Sequence, residues 1–523
     1  MLPTGKDLLA IAPQLIVAGF AMLVLLLDAC SPRISKRLLA NLSIVGLLIA
    51  GAVGARPLWL KAMPQPAMQG MVLNDGYTAF FTLIFVLGAA LSILLSVEYI
   101  EREGGFLGEY YALLLFTTLG AMVMATSINL ICIFIGLEIL SIALYILAGY
   151  QTQRLQSDES AMKYFLLGSF ASAFFLYGIA LVYGAYGSLN LQEIANRITD
   201  ASGAGAEPAK NFLLLAGVAM LLVGFGFKVA VVPFHVWTPD VYEGAPTPVT
   251  AFMSVLAKAA GFAAFLRVIA LGFHDTGQGV NLQTQISAVL ASIAALTMLV
   301  GNVVAVVQRN IKRMLAYSSI AHAGYILVGL VAVVRPGSGL SPAAQSQAVS
   351  AVLYYILAYT VSNLGAFGIV LALRKKGEEM GEISDFTGIG YRHPALAALM
   401  ALFLLSLAGL PPTAGFFGKL FLIQALVATT LGSPLVWLLV LFALTSVVSF
   451  YYYLGVVRTM YMDRTGEDAG VETVSVARGH LHLALGISAV ATLMLGLWAG
   501  GTLDLAQRVA EGFLGGGAPS AMR

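Results

Sequence analysis

Charged residues are scarce in this chain of 523 residues: lysine, arginine, aspartate and glutamate together make up 10% of it, against about 25% in an ordinary soluble domain. Cysteine is rarer still, with Cys30 and Cys132 far apart and neither in a Cys-x-x-Cys pair. These two cysteines cannot supply a self-contained iron–sulfur cluster or a structural zinc site. The sequence also lacks a dinucleotide-binding glycine fingerprint. We therefore assign no cofactor and no metal to this chain.

Long apolar runs dominate what is present. Apolar residues are 59% of the chain, and its mean hydropathy is +0.88. Because a helix needs roughly 20 apolar residues to cross ~30 Å of hydrocarbon, the sequence predicts fourteen spans. They are residues 8–27, 38–60, 77–95, 110–125, 128–148, 164–186, 212–232, 249–272, 286–307, 314–334, 349–373, 395–430, 435–461 and 481–500. The runs lack the alternation of a membrane β-barrel, so we expect an all-α polytopic membrane protein.

Two of these predicted helices are interrupted by proline. The run 395–430 is too long for one straight span, yet Pro411 and Pro412 divide it into halves too short for two. The run 212–232 is followed directly by Pro233. Proline removes a backbone donor and frees a carbonyl, which then needs a protein or water partner. Paired discontinuous helices in two halves of a chain indicate inverted repeats and a path at the membrane midplane.

The distribution of basic residues predicts the orientation of the chain. With the N-terminus outside, sixteen lysines and arginines fall on the inner side and eight on the outer side. Because inner loops carry the excess of these residues, both termini are predicted to face the periplasm or its equivalent. Arg267, near the outer end of its span, is expected to snorkel to the interface. Arg309, Lys312 and Arg313 are expected to be topology determinants in an inner turn.

Five ionisable residues are predicted to lie inside the membrane: Glu138, Lys228, Lys258, His322 and Lys419. Burying one charge there costs at least ~2.5–3.5 kcal/mol, so such residues mark a path for charge. A lone buried carboxylate would take up a proton, and we therefore expect Glu138 to form an ion pair with Lys228. The alternative is that this pair merely joins two helices, because buried ion pairs are weak evidence for stability.

The other ionisable residues differ in how strongly they indicate function. Lys258 lies mid-run among small residues, and burial disfavours the charged form of an amine, which suits a switchable proton carrier. Lys419 follows the second break and is not a phosphate-binding lysine, because no serine or threonine comes after it. His322 and His235 stay open between proton relay and core histidine. Lys163 stays open between relay and inner-face anchor.

Five segments carry a resemblance to a known family. The longest is PFHVWTPDVYEGAPTPVTAFMSVLAKAAGF, which begins at Pro233; the others are SSIAHAGY, GLEILSIALY, KYFLLGSFASAFFLYG and GLPPTAGFFGKLFL. Over about residues 75–461 they closely resemble the antiporter-like membrane subunits of respiratory NADH:quinone oxidoreductase, complex I. The pattern is similar to subunit N, because Lys419 stands where a glutamate is expected in subunit M. Fourteen helices suit the bacterial form.

The resemblance implies an architecture and a role for each buried residue. It implies two inverted five-helix repeats, helices four to eight and nine to thirteen. The expected domains are an N-terminal three-helix segment (1–106), the two repeats (107–273 and 284–462) and a last helix with its tail (463–523). It also implies that Glu138 pairs with Lys228, that Lys258 is the central relay and that Lys419 serves the outer exit. NADH, FMN, iron–sulfur clusters and quinone are expected in partner subunits.

These expectations define one functional hypothesis and two alternatives. The hypothesis is a proton-translocating membrane subunit of bacterial complex I in the inner membrane, coupled to quinone reduction in other subunits. It would contact lipid and other membrane subunits, including neighbouring antiporter-like subunits, and no nucleic acid. One alternative is a subunit of a multi-subunit cation/proton antiporter, which shares this fold. The other is a passive membrane scaffold.

Overall fold

The computed structural model describes residues 4–31, 34–60, 64–103, 108–203, 207–273, 282–334, 342–375, 378–430, 435–462 and 479–515. The helices of the first half are α1 (Gly5–Ala10), α2 (Ala12–Cys30), α3 (Lys36–Gly54), α4 (Arg56–Trp59), α5 (Gly76–Glu103), α6 (Glu109–Thr126), α7 (Leu130–Ala148), α8 (Leu155–Tyr186), α9 (Leu191–Gly203), α10 (Phe212–Val229), α11 (Thr238–Gly244) and α12 (Thr247–Arg267). Those of the second half are α13 (Leu282–Val306), α14 (Ile311–Val334), α15 (Pro342–Ala372), α16 (Ile389–Arg392), α17 (Pro394–Ala408), α18 (Ala414–Thr430), α19 (Val436–Tyr461), α20 (His480–Leu497) and α21 (Ala499–Gly515). A π-helical segment, Val268–Gly272, continues α12.

Thirteen helices within these described ranges are long and apolar enough to cross a membrane. Two shorter apolar helices, α17 and α18, lie in the interrupted segment 395–430. Together they account for the fourteen predicted crossings and confirm the all-α membrane fold. Of the basic residues counted for orientation, several lie outside the described residues: Arg33, Lys61, Arg335, Lys376, Arg464, Arg478 and Arg523. The orientation of the termini stays a prediction.

Strands occur only as two short hairpins in the part of the chain described. Strands β1 (Gln65–Ala67) and β2 (Val72–Asn74) pair antiparallel before α5. Strands β3 (Arg374–Lys375) and β4 (Glu378–Glu379) pair antiparallel after α15. Both hairpins lie between spans, so they do not alter the helical character of the membrane region.

Three helices form the centre of the bundle. Within one apolar stretch of 18 residues in each helix, 94% of the residues are buried in α12, α14 and α15, against 28% in α2 and 33% in α8 and α19. The same three helices carry many of the buried polar side chains, among them Lys258, His322 and Asn363. Lipid offers such groups no hydrogen-bond partner, so these helices must be enclosed by protein. The fold therefore places the predicted relay residues of α12 and α14 at its core.

The two broken helices end in the same way. At the end of α10, Ala230 adopts a left-handed backbone with φ 59°, and its N–H and that of the next residue both bond to the carbonyl of Gly226. At the end of α17, Gly409 has φ 96°, and its N–H and that of the next residue both bond to the carbonyl of Leu405. This paired bonding closes a helix C-terminus. The two predicted discontinuous helices are confirmed.

Arg267 does not snorkel, contrary to the sequence-based expectation. Its side chain is fully buried at the end of α12, and its Nη2 lies 3.0 Å from Oδ1 of Asp75, just before α5. The Nη2 group also donates to the hydroxyl of Thr78 at 3.0 Å. The guanidinium therefore finds its counter-charge inside the protein, a partner that spacing along the sequence does not reveal.

Candidate functional site

Glu138 and Lys228 each bond to a serine beside one small cavity. The Oε1 atom of Glu138 on α7 accepts a hydrogen bond from the hydroxyl of Ser172 on α8, at 2.5 Å. The Nζ atom of Lys228, in the last turn of α10, donates to the hydroxyl of Ser141 at 2.8 Å. Ser141, Ser172 and Lys228 line the cavity together with Tyr145. The carboxylate and the ammonium thus share an environment through their serine partners.

The direct ion pair expected between Glu138 and Lys228 is not formed. Among the residues that the structure describes, the ion pairs within 4.0 Å do not include these two, and both side chains turn to a serine hydroxyl instead. The cavity that Ser172 and Lys228 line measures about 10 Å³, which is about the size that admits one water molecule. The carboxylate therefore acts on the amine through space and across the serine hydroxyls and the cavity, without direct contact.

Lys258 is buried at the centre and bonds to α14. Its Nζ donates to both the carbonyl and the hydroxyl oxygen of Ser319. The hydroxyl of Tyr359 on α15 donates to the hydroxyl oxygen of Ser319 at 2.8 Å. The amine, the serine and the tyrosine therefore form one hydrogen-bonded group across α12, α14 and α15. The two hydroxyls can each donate and accept a hydrogen bond, and the amine can take up a proton when it is neutral.

His322 is buried between two tyrosines. Its Nδ1 lies 2.6 Å from the hydroxyl of Tyr355 and its Nε2 lies 3.1 Å from the hydroxyl of Tyr453 on α19. The Tyr453 hydroxyl also bonds to Ser318. Ser318 is four residues before His322 and so shares its face of α14. The ring of Tyr359, which belongs to the Lys258 group, lies 5.0 Å from the ring of His322 between centroids, so the two groups are in contact.

Lys419 is held at the second break. Its Nζ donates to the carbonyl of Ala408 at 2.7 Å, and it lies 4.9 Å from the ring centroid of Tyr325. Ala408 is the last residue of α17, where the carbonyls lose their helical partners and favour a cation. A cavity of about 10 Å³ lined by His322 and Ser406 lies near this break. The break thus creates the site that holds the amine.

Lys163 and its neighbours form an ion-pair network at one end of the bundle. Asp240 on α11 accepts from Lys163 at 2.6 Å and from Arg313 at 2.8 Å, and Arg313 also reaches Glu243 at 2.8 Å. Burial opposes ionisation of Asp240, but the two cationic hydrogen bonds outweigh it and hold the pKa of this carboxyl below its usual value. Lys163 therefore ties α8 to α11, while its predicted relay role stays untested.

Three further residues considered in the sequence analysis are Lys312 and Arg313, at the start of α14, and His235, after the first break. Lys312, expected in an inner turn between spans, is instead buried in the first turn of α14 and donates to the carbonyl of Ala245 at 3.1 Å. Arg313 is likewise in α14 and ion-paired, because the helix begins at Ile311. His235 is half-buried in the segment between α10 and α11. The interpretation of Lys312 and Arg313 as turn residues was wrong.

Several residues of the site escaped the sequence analysis: Ser172, Ser318, Ser319, Tyr355, Tyr359 and Tyr453. Serine and tyrosine carry no charge, so a search for ionisable residues inside spans does not select them. Their spacing is the available signal, because Tyr355 and Tyr359 are four apart on α15 and Ser318 and His322 are four apart on α14.

Within the described ranges, no cluster of three or more histidine, cysteine, aspartate or glutamate side chains is arranged to hold a metal.

Similarities to known proteins decide the family. Residues 127–449 match the family model described as the transmembrane region of NADH:quinone oxidoreductase/Mrp antiporter. The NADH-quinone oxidoreductase subunit N of Trichlorobacter lovleyi is 42% identical over 505 residues, which cover 97% of each chain. The chain belongs to the subunit N family of NADH-quinone oxidoreductase. It is accordingly an antiporter-like, multi-pass membrane subunit of complex I.

Solved structures agree with membership in the subunit N family. A chain of respiratory complex I from Thermus thermophilus superposes with a TM-score of 0.74 at 34% identity, over 95% of this chain and 99% of that chain. A chain of the Mrp complex from Dietzia sp. superposes with a TM-score of 0.80 at 20% identity, over 97% and 98% of the two chains. The second likeness shows the shared fold alone.

Proposed function

We propose that this subunit moves protons across the bacterial inner membrane, coupled to quinone reduction in other subunits of complex I. The observation that supports it most is the hydrogen-bonded group around Lys258 and His322 at the centre of the bundle. A passive membrane core gains nothing from buried amines, since each costs at least ~2.5–3.5 kcal/mol. Groups that can both donate and accept protons are what a relay requires.

The proposed order of transfer follows the contacts. Quinone reduction elsewhere changes the charge near Glu138, and the change reaches Lys228 through Ser172, Ser141 and the cavity between them. Lys228 then releases its proton toward Lys258. From Lys258 the proton passes along the α14 face to the tyrosines at His322, and then to Lys419 and the outer exit. Lys163 and His235 are assigned supporting positions, Lys163 because its ammonium is already ion-paired.

Organisation and orientation belong to the same proposal. The repeats are residues 107–273 and 284–462, flanked by 1–106 and 463–523, and the matching caps at Ala230 and Gly409 support this division. Both termini are proposed to face the periplasm. NADH, FMN, iron–sulfur clusters and quinone are assigned to partner subunits. Neighbouring antiporter-like subunits and lipid are the proposed contacts in the membrane.

A subunit of a cation/proton antiporter is the less supported alternative, because the Mrp chain shares the fold at only 20% identity, against 42% for the subunit N of Trichlorobacter lovleyi. The two functions differ in their partners. Neighbouring genes for NADH-binding and quinone-site subunits would favour complex I, and their absence would favour the antiporter.

Substitution of Lys258 tests the proposed path. Lys258→Met keeps much of the apolar stem and removes the titrating amine, so the complex should assemble, since a costly buried charge is gone. Coupled electron transfer and proton uptake should fall. Lys258→Arg should also fail, because guanidinium hardly deprotonates in proteins. The matched control is Lys210→Met, at an exposed lysine paired with Glu207.

The measurements are proton uptake by vesicles and quinone-linked NADH oxidation, with assembly checked on native gels. If both Lys258 variants assemble and pump as the control does, Lys258 is not an obligatory carrier. This result would favour the scaffold, and the path described above would be wrong.

A further inference from the structure

The cavity beside His322 lies between the central hydrogen-bonded groups and the second break. It measures about 10 Å³, which is about the size that admits one water molecule. Tyr355, Tyr359 and Ser362 line it from α15, and Ser406 lines it from the last turn of α17. These four side chains, which all carry hydroxyls, are at most 5% exposed. The cavity is therefore a buried polar space that borders both the relay and the break.

The two serines of this cavity have one hydroxyl hydrogen more than they have acceptors. The Oγ atoms of Ser362 and Ser406 lie 2.8 Å apart, so one of the two hydroxyls donates to the other. The Oγ atom of Ser406 also accepts from the backbone N–H of Gly415, at the start of α18, at 3.2 Å. Among the residues that the structure describes, no acceptor bonds to the second hydroxyl hydrogen. Because a buried donor without an acceptor is costly, this hydrogen requires a partner in the cavity.

We propose that the cavity binds one water molecule, and that this water and the serine pair carry protons between the central groups and the second break. The inference rests on the proposed function and names the link that the path needs between Tyr359 and the break. The water accepts the second serine hydrogen and donates to Tyr359 or Tyr355, since phenolic oxygens also accept. A buried water typically makes about three hydrogen bonds, and cavities without water are apolar. The hydroxyls around this cavity meet that requirement.

Proton transfer along this link exchanges only O–H bonds. The hydroxyl hydrogens rotate so that Tyr359 donates to the water and the water donates to the serine pair. Tyr359 then receives a proton from the Lys258 side and releases its own to the water, and the water releases one to the serines. Each oxygen gains one proton and loses one, so one proton moves and no electron does. The acceptor at the break is the neutral amine of Lys419, whose Nζ bonds to the carbonyl of Ala408, two residues after Ser406.

A pair of substitutions at Ser362 tests this proposal in the assembled complex. Ser362→Val and Ser362→Thr introduce side chains of the same branched shape, but only threonine keeps the hydroxyl. Ser350→Val is the matched control on α15, because Ser350 is also buried, donates to the carbonyl of Gln347 and lies outside the cavity lining. Lys258→Met gives the reference for loss of the proposed function. Proton uptake by vesicles, coupled to NADH oxidation, is measured in ordinary and in heavy water, and assembly is checked on native gels. A structure of the complex that resolves ordered waters shows the occupant directly.

Ser362→Val should slow proton uptake roughly fivefold relative to Ser362→Thr, which corresponds to about 1 kcal/mol for one hydrogen bond. The ratio of the rates in ordinary and heavy water should rise in Ser362→Val, because proton transfer becomes the slowest step; a purely structural defect would leave this ratio unchanged. An ordered water should lie beside Ser406 in the wild type.

The inference is overturned if the valine and threonine variants pump alike, if the isotope ratio does not rise, or if the wild-type cavity holds no ordered water. With Lys258→Met still impaired, such a result leaves the proposed function standing. Normal pumping by Lys258→Met would instead overturn the proposed function, and this inference with it.

Discussion

The buried ion pair at the end of α12 gives the sharpest prediction about stability. Arg267 and Asp75 are 0% and 1% exposed and meet through two hydrogen bonds of 3.0 and 3.1 Å. The guanidinium also lies 4.7 Å from the ring centroid of Tyr77 and 5.5 Å from that of Phe513 on α21. The pair therefore joins α12, which carries Lys258, to α5 and to α21.

Replacing Asp75 by asparagine should destabilise the chain strongly. The change leaves a guanidinium buried without its anion, which costs about 3–5 kcal/mol, or a factor of more than roughly 100 in the folded-to-unfolded ratio. The double variant Asp75→Leu/Arg267→Met should recover most of this loss, because replacing both charges by apolar groups is often neutral or stabilising. Glu207→Gln is the control: its pair with Lys210 is exposed, and such pairs contribute about 0–1 kcal/mol.

The assay heats detergent-solubilised complexes that carry a fluorescent tag on this chain. The fraction that remains folded is then read by size-exclusion chromatography. Asp75→Asn should lower the apparent unfolding temperature well below that of Glu207→Gln. An equal shift in the two single variants, or no recovery in the double variant, would show that water reaches the pair and would refute the reasoning.

Three further predictions follow from the contacts and the charge distribution. Asp240→Asn should destabilise the chain at neutral pH but lose that effect in acid. The lowered pKa of Asp240 gives stability above about pH 3.8, and this stability disappears as the pH falls through the pKa of the folded protein. The acid-unfolding curves of variant and wild type should therefore converge at that low pH. Tyr453→Phe should leave assembly intact and slow proton uptake by vesicles, because His322 and Ser318 lose their shared hydroxyl. Reporter fusions after Lys376 should read cytoplasmic and fusions at Arg523 periplasmic; the opposite result at either position contradicts the proposed orientation.

The sequence was sufficient to predict the spans and the two breaks, because both depend on local chemistry. Twenty apolar residues cross a membrane in any context, and proline interrupts a helix wherever it stands inside one. Lys258 and Lys419 are buried for the same reason, since they lie within or beside apolar runs. These features need no knowledge of which helix packs against which.

Contacts between helices could not be predicted in the same way. A carboxylate and an amine inside the membrane are expected to pair. Glu138 and Lys228 instead form hydrogen bonds with Ser172 and Ser141. Arg267 was assigned to the interface because it lies near the outer end of its span, and its partner Asp75 is 192 residues away in the sequence. A hydroxyl or a distant carboxylate becomes a partner only once the packing is fixed.

The two broken helices end in the same backbone cap, yet Lys228 and Lys419 beside them have different hydrogen-bond partners. Both breaks begin with the same left-handed cap, at Ala230 and at Gly409. At the second break, Lys419 donates to the carbonyl that the break itself frees, so its partner is part of the backbone and carries no titratable group. At the first break, the carbonyl of Phe227 accepts from the N–H of Ala230 and from the indole of Trp237 at 3.2 Å. Lys228 instead donates to Ser141, beside the cavity that the partner of Glu138 also lines. Under the proposed path, a charge change at Glu138 acts on the first amine, whereas the second amine responds to the proton that reaches it.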